Sequence, residues 1–201
     1  MSAVLVEATP GLRERRREQS RTALVEAALR LMAKRGFDGV SVEEIADHAG
    51  VSRRTFFRYF ETKESVLLDR RRSQLVAFEA ALESAPRDAS PFKVIEAALL
   101  ELGHEYQEDR ERILKERALF LTSRDLGARD NQIDREFEEA IVKAIVRATD
   151  TSKVSVRNAR YFAAATVAVL RVAITEWAEA GGKTNLIATA RPAFALLTRL
   201  M

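Results

Sequence analysis

Residues 42–60 read VEEIADHAGVSRRTFFRYF, and this stretch predicts the fold of the N-terminal part of the chain. Two short helical segments flank Gly50, a residue type that tolerates the positive φ needed in a tight turn. Ala46 is small enough to let the two helices cross closely. The apolar groups that a three-helix core needs are Ile45, Ala49, Val51 and Phe56. The stretch therefore predicts a helix-turn-helix. The alternative is a pair of adjacent short helices in another kind of bundle.

Capping residues mark the starts of these helices. Ser41 precedes the first helix and Glu44 follows it by three positions, which is the pattern of a capping box. Ser52 occupies the same place before the second helix, and Thr62 before the helix that follows. These signals predict the two helices of the motif at 42–49 and 52–60.

The rest of the sequence shows helical periodicity, and no segment alternates with period two for long enough to form a strand. We therefore predict an all-α fold of about nine helices. Gly36 ends the first helix, Pro91 begins one after Ser90, and Gly181 and Gly182 end a long one. The predicted helices are 20–35, 42–49, 52–60, 62–82, 90–106, 109–121, 130–149, 154–180 and 185–200.

Composition and charge agree with a globular protein that has a basic N-terminal third. The 201 residues are 47% hydrophobic and 31% charged, and the absence of cysteine excludes disulfides, thiolate metal sites and cysteine nucleophiles. Residues 1–72 carry 15 Lys and Arg against 11 Asp and Glu, whereas the remaining residues carry 18 against 19. The excess positive charge lies where a polyanion would dock.

Other classes of function find no support in the sequence. No Gly-rich phosphate loop, paired carboxylates or nucleophile motif indicates an enzyme. Glu101, His104 and Glu108 share one helix face, which is typical of a solvated surface, so we predict no metal and no other cofactor. No apolar run reaches the roughly 18 residues of a membrane span, and residues 3–6 are too short for a signal-peptide core. We expect a cytoplasmic protein without a membrane partner.

Residues 36–66, GFDGVSVEEIADHAGVSRRTFFRYFETKESV, resemble the signature of the TetR-type transcriptional repressors. Residues 21–28, RTALVEAA, are similar to the first helix of that family, so the specific likeness covers about residues 20–68. The resemblance implies a homodimer that binds a palindromic double-stranded operator and is controlled by a small-molecule effector. It divides the chain into a disordered tail 1–12, a helix-turn-helix domain 13–61, and a ligand-binding and dimerisation domain 62–201.

The predicted DNA contacts lie in and around the second helix of the motif, which would enter the major groove with its N-terminal half. Arg53 and Arg54 are candidates for base contacts, because arginine donates two hydrogen bonds to guanine O6 and N7. The resemblance assigns phosphate contacts to Tyr59 and Lys63, although many members of the family have glycine where Arg54 stands and tyrosine where Phe57 stands. The predicted set is Arg15, Arg16, Arg17, Ser41, Ser52, Arg53, Arg54, Thr55, Phe57, Arg58, Tyr59 and Lys63.

The basic run at residues 13–17 has two interpretations. It could be an arm that follows a phosphate backbone or enters a minor groove. Since Glu14 and Glu18 interleave the arginines, it could equally be a solvated charged segment.

In the C-terminal part, apolar residues at helical spacing predict an ordinary hydrophobic core. The alternative, which the resemblance implies, is a cavity between the central helices. Polar residues among them could orient a ligand there. The second helix of the motif, which we call the recognition helix and which reads RRTFFRYF at residues 53–60, is together with Trp177 also similar to mycofactocin-type actinobacterial regulators, and this suggests a lipid-like or acyl-CoA effector. The predicted cavity residues are Phe92, Leu99, His104, Tyr106, Ile113, Arg117, Phe120, Phe137, Ile141, Val167, Leu170, Arg171 and Ile174.

Residues 161–170, YFAAATVAVL, are rich in small side chains that permit close helix approach. With the last helix they predict a four-helix dimer seam, and the alternative is internal packing of the same residues. The predicted interface residues are Tyr161, Ala164, Ala165, Ala168, Trp177, Phe194 and Leu197.

Two functions agree with these predictions. The first is a regulator, expected to be a repressor, that is released from DNA by a small apolar or amphipathic effector. The alternative is a DNA-binding regulator that is controlled by a protein partner.

Overall fold

A computed structural model describes residues 11–86, 88–148 and 156–199. Within these ranges the chain forms ten α-helices and no strand, which confirms the predicted all-α fold. The helices are α1 Leu12–Arg35, α2 Val42–His48, α3 Arg53–Tyr59, α4 Lys63–Leu67, α5 Asp69–Ser84, α6 Pro91–Glu108, α7 Arg110–Thr122, α8 Arg124–Ala148, α9 Val156–Glu179 and α10 Leu186–Arg199.

The first helix begins earlier than predicted. Gly11 is its N-cap and Leu12 its first residue, whereas the rest of the predicted tail 1–12 lies outside the described residues. The basic run at residues 13–17 is therefore part of α1. Arginine and glutamate are good helix formers, and a pair such as Glu18 and Arg21, whose charged atoms lie 4.0 Å apart, offsets part of the repulsion between the arginines.

The predicted helix 62–82 is two helices, because the backbone turns at Leu68. Leu68 has φ −83° and ψ −2°, away from the helical ψ, and it forms the N-cap of α5. Val66, Leu67 and Leu68 are all buried. Three consecutive side chains spread over about 200° of a straight helix, so one apolar face cannot bury them all. This break accounts for ten helices where about nine were predicted.

The eighth helix also starts earlier than the predicted residue 130. Ser123 ends α7, and its oxygen atoms then receive the first backbone N–H groups of α8, from Leu126 at 3.5 Å and Gly127 at 3.0 Å. Ser123 is thus the single residue between the two helices, where the sequence predicted a gap at residues 122–129.

The chain divides into two compact units, one ending at Leu67 and the other starting at Leu68. In the first unit α1 packs against α2 and α4, and α2 packs against α3. Gly36 and Gly50 have φ of 75° and 69°, as their places after α1 and in the motif's turn require. The core of this unit is formed by Leu24, Met32, Ile45, Phe56 and Val66, all without exposed surface.

In the second unit α8 is the central helix and packs against α5, α7 and α9, while α10 packs against α6 and α9. By length and composition α9 would be able to cross a membrane. It lies instead along α8 and α10, with Ala159, Phe162 and Ala163 buried, and so belongs to the core of the bundle.

Candidate functional site

The second helix of the motif, α3, is fixed by one cap and one anchor. The Ser52 hydroxyl accepts a hydrogen bond from the Thr55 backbone N–H at 3.1 Å, which satisfies one free donor at the helix start. Phe56 has no exposed surface and packs edge-on against Phe57, with ring centroids 5.4 Å apart. Because the Phe56 ring is buried in the core, the opposite side of α3 is exposed to solvent. The predicted contact residues exposed there and at the two caps are Ser41, Ser52, Arg53, Arg54, Phe57 and Arg58.

Arg53 is held in place before any DNA is bound. Its Nε lies 2.5 Å from the Glu43 carboxylate, and its guanidinium lies 5.0 Å from the centre of the Phe57 ring. Arg58 donates to the Tyr59 hydroxyl at 3.2 Å, and its guanidinium stacks on the Tyr59 ring. The recognition helix therefore presents its two flanking arginines on aromatic supports, whereas Arg54 between them makes no such contact among the described residues.

Lys63, which is predicted to contact a phosphate, has two hydrogen-bond partners inside the first unit. Its Nζ donates to the backbone carbonyls of Phe37 at 2.8 Å and Val40 at 2.9 Å, and it lies 4.1 Å from the Phe37 ring centre. Two of the three N–H groups of the ammonium are thus used inside the unit, where they join α4 to the loop between α1 and α2. The sequence did not show this, because the partners are backbone atoms.

The basic residues of α1 present a second cationic surface. Arg15, Arg16 and Arg17 are exposed on the first turns of the helix. Their role as DNA contacts stays a prediction.

An acidic residue ties α2 to α1. Glu44 accepts from Arg35 at 2.8 Å and from the Ser41 backbone N–H at 2.8 Å, while Ser41 accepts from the Glu44 N–H. The capping box predicted from the sequence is confirmed. Bonds from the Arg35 side chain, and then from Ser41, lower the pKa of Glu44 from 4.5 to about 2.

The second unit contains a cavity of about 330 Å³ among α5, α6, α7, α8, α9 and α10. Ten of the predicted cavity residues line it: Leu99, Tyr106, Arg117, Phe120, Phe137, Ile141, Val167, Leu170, Arg171 and Ile174.

Three predicted cavity residues lie elsewhere. Phe92 packs against Phe162, with ring centroids 5.0 Å apart. His104 is exposed, and Ile113 is fully buried in a cluster with Tyr106, Trp177 and Leu186. Helical spacing alone did not distinguish these faces, since each of the three lies on a helix that also contributes a true lining residue.

A charged wall of the cavity was not predicted. Arg70 and Arg71 of α5 line it together with Asp130 and Asp134 of α8. Arg71 donates to Asp130 at 2.9 Å and also bonds to Asp134, while Arg70 donates to Glu116 at 2.8 Å. Only the run of three arginines at 70–72 could have indicated this wall, and such a run is more often a solvated face.

Both wall arginines keep their charge. Burial alone would lower the pKa of Arg71, but Tyr106 and the carboxylates of Asp130 and Asp134 raise it above its ordinary value. The pKa of Arg70 is raised in the same way, since Tyr106 and Glu116 outweigh the effect of burial.

Two residues predicted for a dimer interface lie inside the subunit. Trp177 is 1% exposed and packs edge-on against Tyr106, with ring centroids 6.1 Å apart. Phe194 is 7% exposed and packs against Phe162. Side chains this buried have almost no surface to offer a second subunit, so the prediction for them is corrected to internal packing. The other predicted positions retain surface: Tyr161 and Ala164 are exposed, and Ala165, Ala168 and Leu197 are half-buried.

Comparison with known proteins identifies the N-terminal unit. The family model described as bacterial regulatory proteins, tetR family, matches residues 24–69. The HTH-type transcriptional regulator TcmR of Streptomyces glaucescens is 39% identical over 89 residues, 44% of this chain and 39% of that protein. The putative mycofactocin biosynthesis transcriptional regulator MftR of Mycobacterium tuberculosis is 28% identical over 133 residues, 66% of this chain and 67% of that protein. The matches thus span about two fifths to two thirds of these relatives.

Solved structures share the fold of nearly the whole chain. The complex of triclosan with SmeT, the repressor of a Stenotrophomonas maltophilia multidrug efflux pump, has a TM-score of 0.70 at 18% identity and covers 90% of both chains. FadR of Bacillus subtilis, in complex with stearoyl-CoA, has a TM-score of 0.63 at 19% identity and covers 88% of this chain and 96% of its own. The family model thus places residues 24–69 in the tetR family of bacterial regulatory proteins, and the chain as a whole is similar in fold to these regulators.

Proposed function

We propose that the chain is a cytoplasmic repressor that binds a palindromic operator as a homodimer and releases it when a small apolar or amphipathic effector enters the second unit. The observation that carries the proposal is the cavity of about 330 Å³, whose lining combines apolar side chains with buried charges. A cavity of this size falls at the lower end of the range for small-molecule sites, about 300–1,000 Å³. SmeT and FadR, which share the fold, were solved with small molecules bound.

The start of α5 supports a route from the cavity towards the DNA-binding unit. Consecutive arginines fasten this end of α5: Arg70 to Glu116 of α7, Arg71 to Asp130 and Asp134 of α8, and Arg72 to Glu136 of α8. Arg70 and Arg71 also line the cavity. A ligand that changes these pairings acts on α5, which follows α4 through the single residue Leu68.

This arrangement makes α5 the moving part in our proposal. If its angle changes on ligand binding, the spacing of the two recognition helices in a dimer no longer fits successive major-groove faces about 34–36 Å apart. Such coupling is reciprocal, so the effector weakens operator binding and the operator weakens effector binding by the same factor.

The homodimer in this proposal uses the exposed apolar side chains of α9 and α10. Tyr161 is 66% exposed, Val172 55% and Leu196 61%. Large apolar side chains that are this exposed on two packed helices favour a partner that buries them. A second copy of the chain has the same apolar surface, so the two surfaces can cover each other.

The proposal is tested with the full chain in two steps. Selection from random duplex DNA should yield an inverted repeat, because a symmetric dimer reads the same half-site twice. Operator affinity, measured by fluorescence anisotropy, should then fall about 5- to 150-fold at saturating concentrations of a ligand shown to occupy the cavity. Unchanged affinity would instead favour control by a protein partner.

A further inference from the structure

The charges that line the cavity do not balance. Five arginines line it, Arg70, Arg71, Arg117, Arg171 and Arg191, against three carboxylates, Glu96, Asp130 and Asp134. Outside this lining, Arg70 pairs with Glu116, which also pairs with Arg112, and Arg112 pairs in turn with Asp109. Counted over its own residues alone, the lining carries a net charge of +2.

In the described part of the chain, the lining arginines without an ion pair are the exposed Arg171 and the half-buried Arg117, while Arg70 has only a shared carboxylate. Arg71 is paired with two aspartates, and Arg191 lies 3.8 Å from Glu96 at exposed positions. Arg70 shares the fully buried Glu116 with Arg112. Arg117 donates to the neutral hydroxyl of Thr175 at 3.0 Å and has no carboxylate partner in the described part of the chain.

Unsatisfied polar atoms are also found among the residues that line the cavity. Of five buried side-chain polar atoms without a hydrogen-bond partner in the described ranges, four belong to cavity residues: Arg70 Nη1, Gln74 Oε1, Arg117 Nε and Thr166 Oγ1. Buried polar groups in folded proteins nearly always have partners, so such a cluster calls for an explanation. The two arginine atoms are donors, and they require an acceptor.

The remaining lining defines the body of the ligand. Phe120, Phe137, Ile141, Val167 and Ile174 provide an apolar surface. The cavity of about 330 Å³ falls at the lower end of the range for small-molecule sites, about 300–1,000 Å³, which favours a ligand with a compact body.

We propose that the cavity binds a small organic carboxylate with a compact apolar body, whose acid group is received by Arg70 and Arg117. A carboxylate offers two acceptor oxygens to the unsatisfied arginine donors and neutralises part of the excess charge. A hydroxyl or N–H on the ligand would satisfy Gln74 Oε1, whose Nε2 already donates to Glu105 at 2.8 Å. The inference rests on the proposed function, in which the same cavity receives the effector.

The test uses matched ligands that differ only in charge. A panel of arylalkanoic and short branched-chain acids, such as 4-phenylbutyrate, is compared with the corresponding neutral amides by calorimetric titration of the full chain. At least one acid should bind about tenfold or more tightly than its amide, since hydrogen bonds to charged groups are the stronger kind. A panel in which no acid binds more tightly than its amide overturns the inference.

Variants locate the acid group. Arg117→Gln should remove most of the preference for the acid, and Arg117→Lys should retain part of it. The control is Arg129→Gln, which removes the same charge from an exposed position of α8 outside the cavity lining and should leave the preference unchanged. A preference that survives Arg117→Gln also overturns the inference.

Operator release is measured separately and distinguishes the two proposals. An acid that binds through Arg117 but does not release the operator supports the inference and contradicts the proposed function. If a neutral ligand instead occupies the cavity and releases the operator while no acid binds more tightly than its amide, that result supports the proposed function and contradicts the inference.

Discussion

Arg53, for which we predict a base contact, already has two side-chain partners in the structure. Glu43 and the Phe57 ring hold its guanidinium in one place, so little side-chain entropy remains to be lost when it meets a guanine. The ion pair is exposed at both ends, which keeps the cost of exchanging Glu43 for a base small.

Arg53→Ala should weaken operator binding by about 1–3 kcal/mol and relax the preference at one or two base pairs, because two hydrogen bonds to one base are lost. The measurement is affinity for a set of operators with single base changes. Glu43→Gln is the control, since it removes the partner of Arg53 but keeps the arginine, and base preference should persist. An Arg53→Ala protein with the wild-type ranking of operators would contradict the assignment.

Lys63 leads to a different prediction from that of a phosphate contact. Lys63→Ala removes two charge-assisted hydrogen bonds to the carbonyls of Phe37 and Val40, so the unit should lose about 1.5–3 kcal/mol of stability. The melting temperature of the full chain without DNA would show this loss, with exposed Arg54→Ala as the control. If the melting temperature stays the same while the salt dependence of DNA binding falls by about one ion, Lys63 is a plain phosphate contact.

At the scale of elements, the junction between α1 and α2 depends on an ionised carboxylate. The pKa of Glu44 is lower in the folded state than its ordinary value of 4.5, so its contribution to stability is complete above about pH 5. That contribution is lost as the pH falls from 4.5 towards 2.

Glu44→Gln keeps the side-chain shape and an oxygen acceptor but cannot ionise. The wild-type protein should therefore melt at a higher temperature than the variant near neutral pH, and the difference should shrink between pH 4.5 and pH 2. Thermal unfolding across this range measures it. A difference that is independent of pH would show that the capping geometry, and not the charge, stabilises the junction.

In the second unit, hydrogen bonds join α5 to α8 at both ends of α5. Arg71 and Arg72 bond to α8 at the start of α5, and Arg147 of α8 donates to the carbonyls of Leu82 at 2.5 Å and Glu83 at 3.0 Å at its end. An α5 fastened in this way moves together with α8 unless one end is released. The cavity borders only the starting end, so we place the ligand's action there.

At the scale of the whole molecule, the expected homodimer has a direct test. Leu196→Glu introduces a charge on the exposed face of α10, where a partner would bury it without compensation, so the dimer should weaken. Light scattering at micromolar concentration should show a dimer for the wild-type protein and a smaller mass for the variant. Val76→Glu, equally exposed on α5, should remain dimeric. A monomeric wild-type protein would contradict the dimer and with it the palindromic operator.

The sequence by itself determined the helix-turn-helix, because its signals are local. The cap at Ser41, the positive φ at Gly50 and the buried ring of Phe56 all act within a few residues, and the structure confirms each of them. Helical spacing and the family resemblance together identified only part of the apolar cavity lining: Leu99, Phe120 and Ile141 were predicted, whereas Leu100, Ile187 and Phe194 were not.

Only the tertiary structure decided the charged wall, the break at Leu68 and the internal place of Trp177. Arg70 meets Glu116 across 46 positions of sequence, and Lys63 binds backbone atoms 23 and 26 positions away. Such pairings depend on how helices pack, which no local pattern encodes. A tryptophan at helical spacing fits a subunit interface or a core equally well, and the neighbours of Trp177, Tyr106 and Ile113, come from helices far away in the chain.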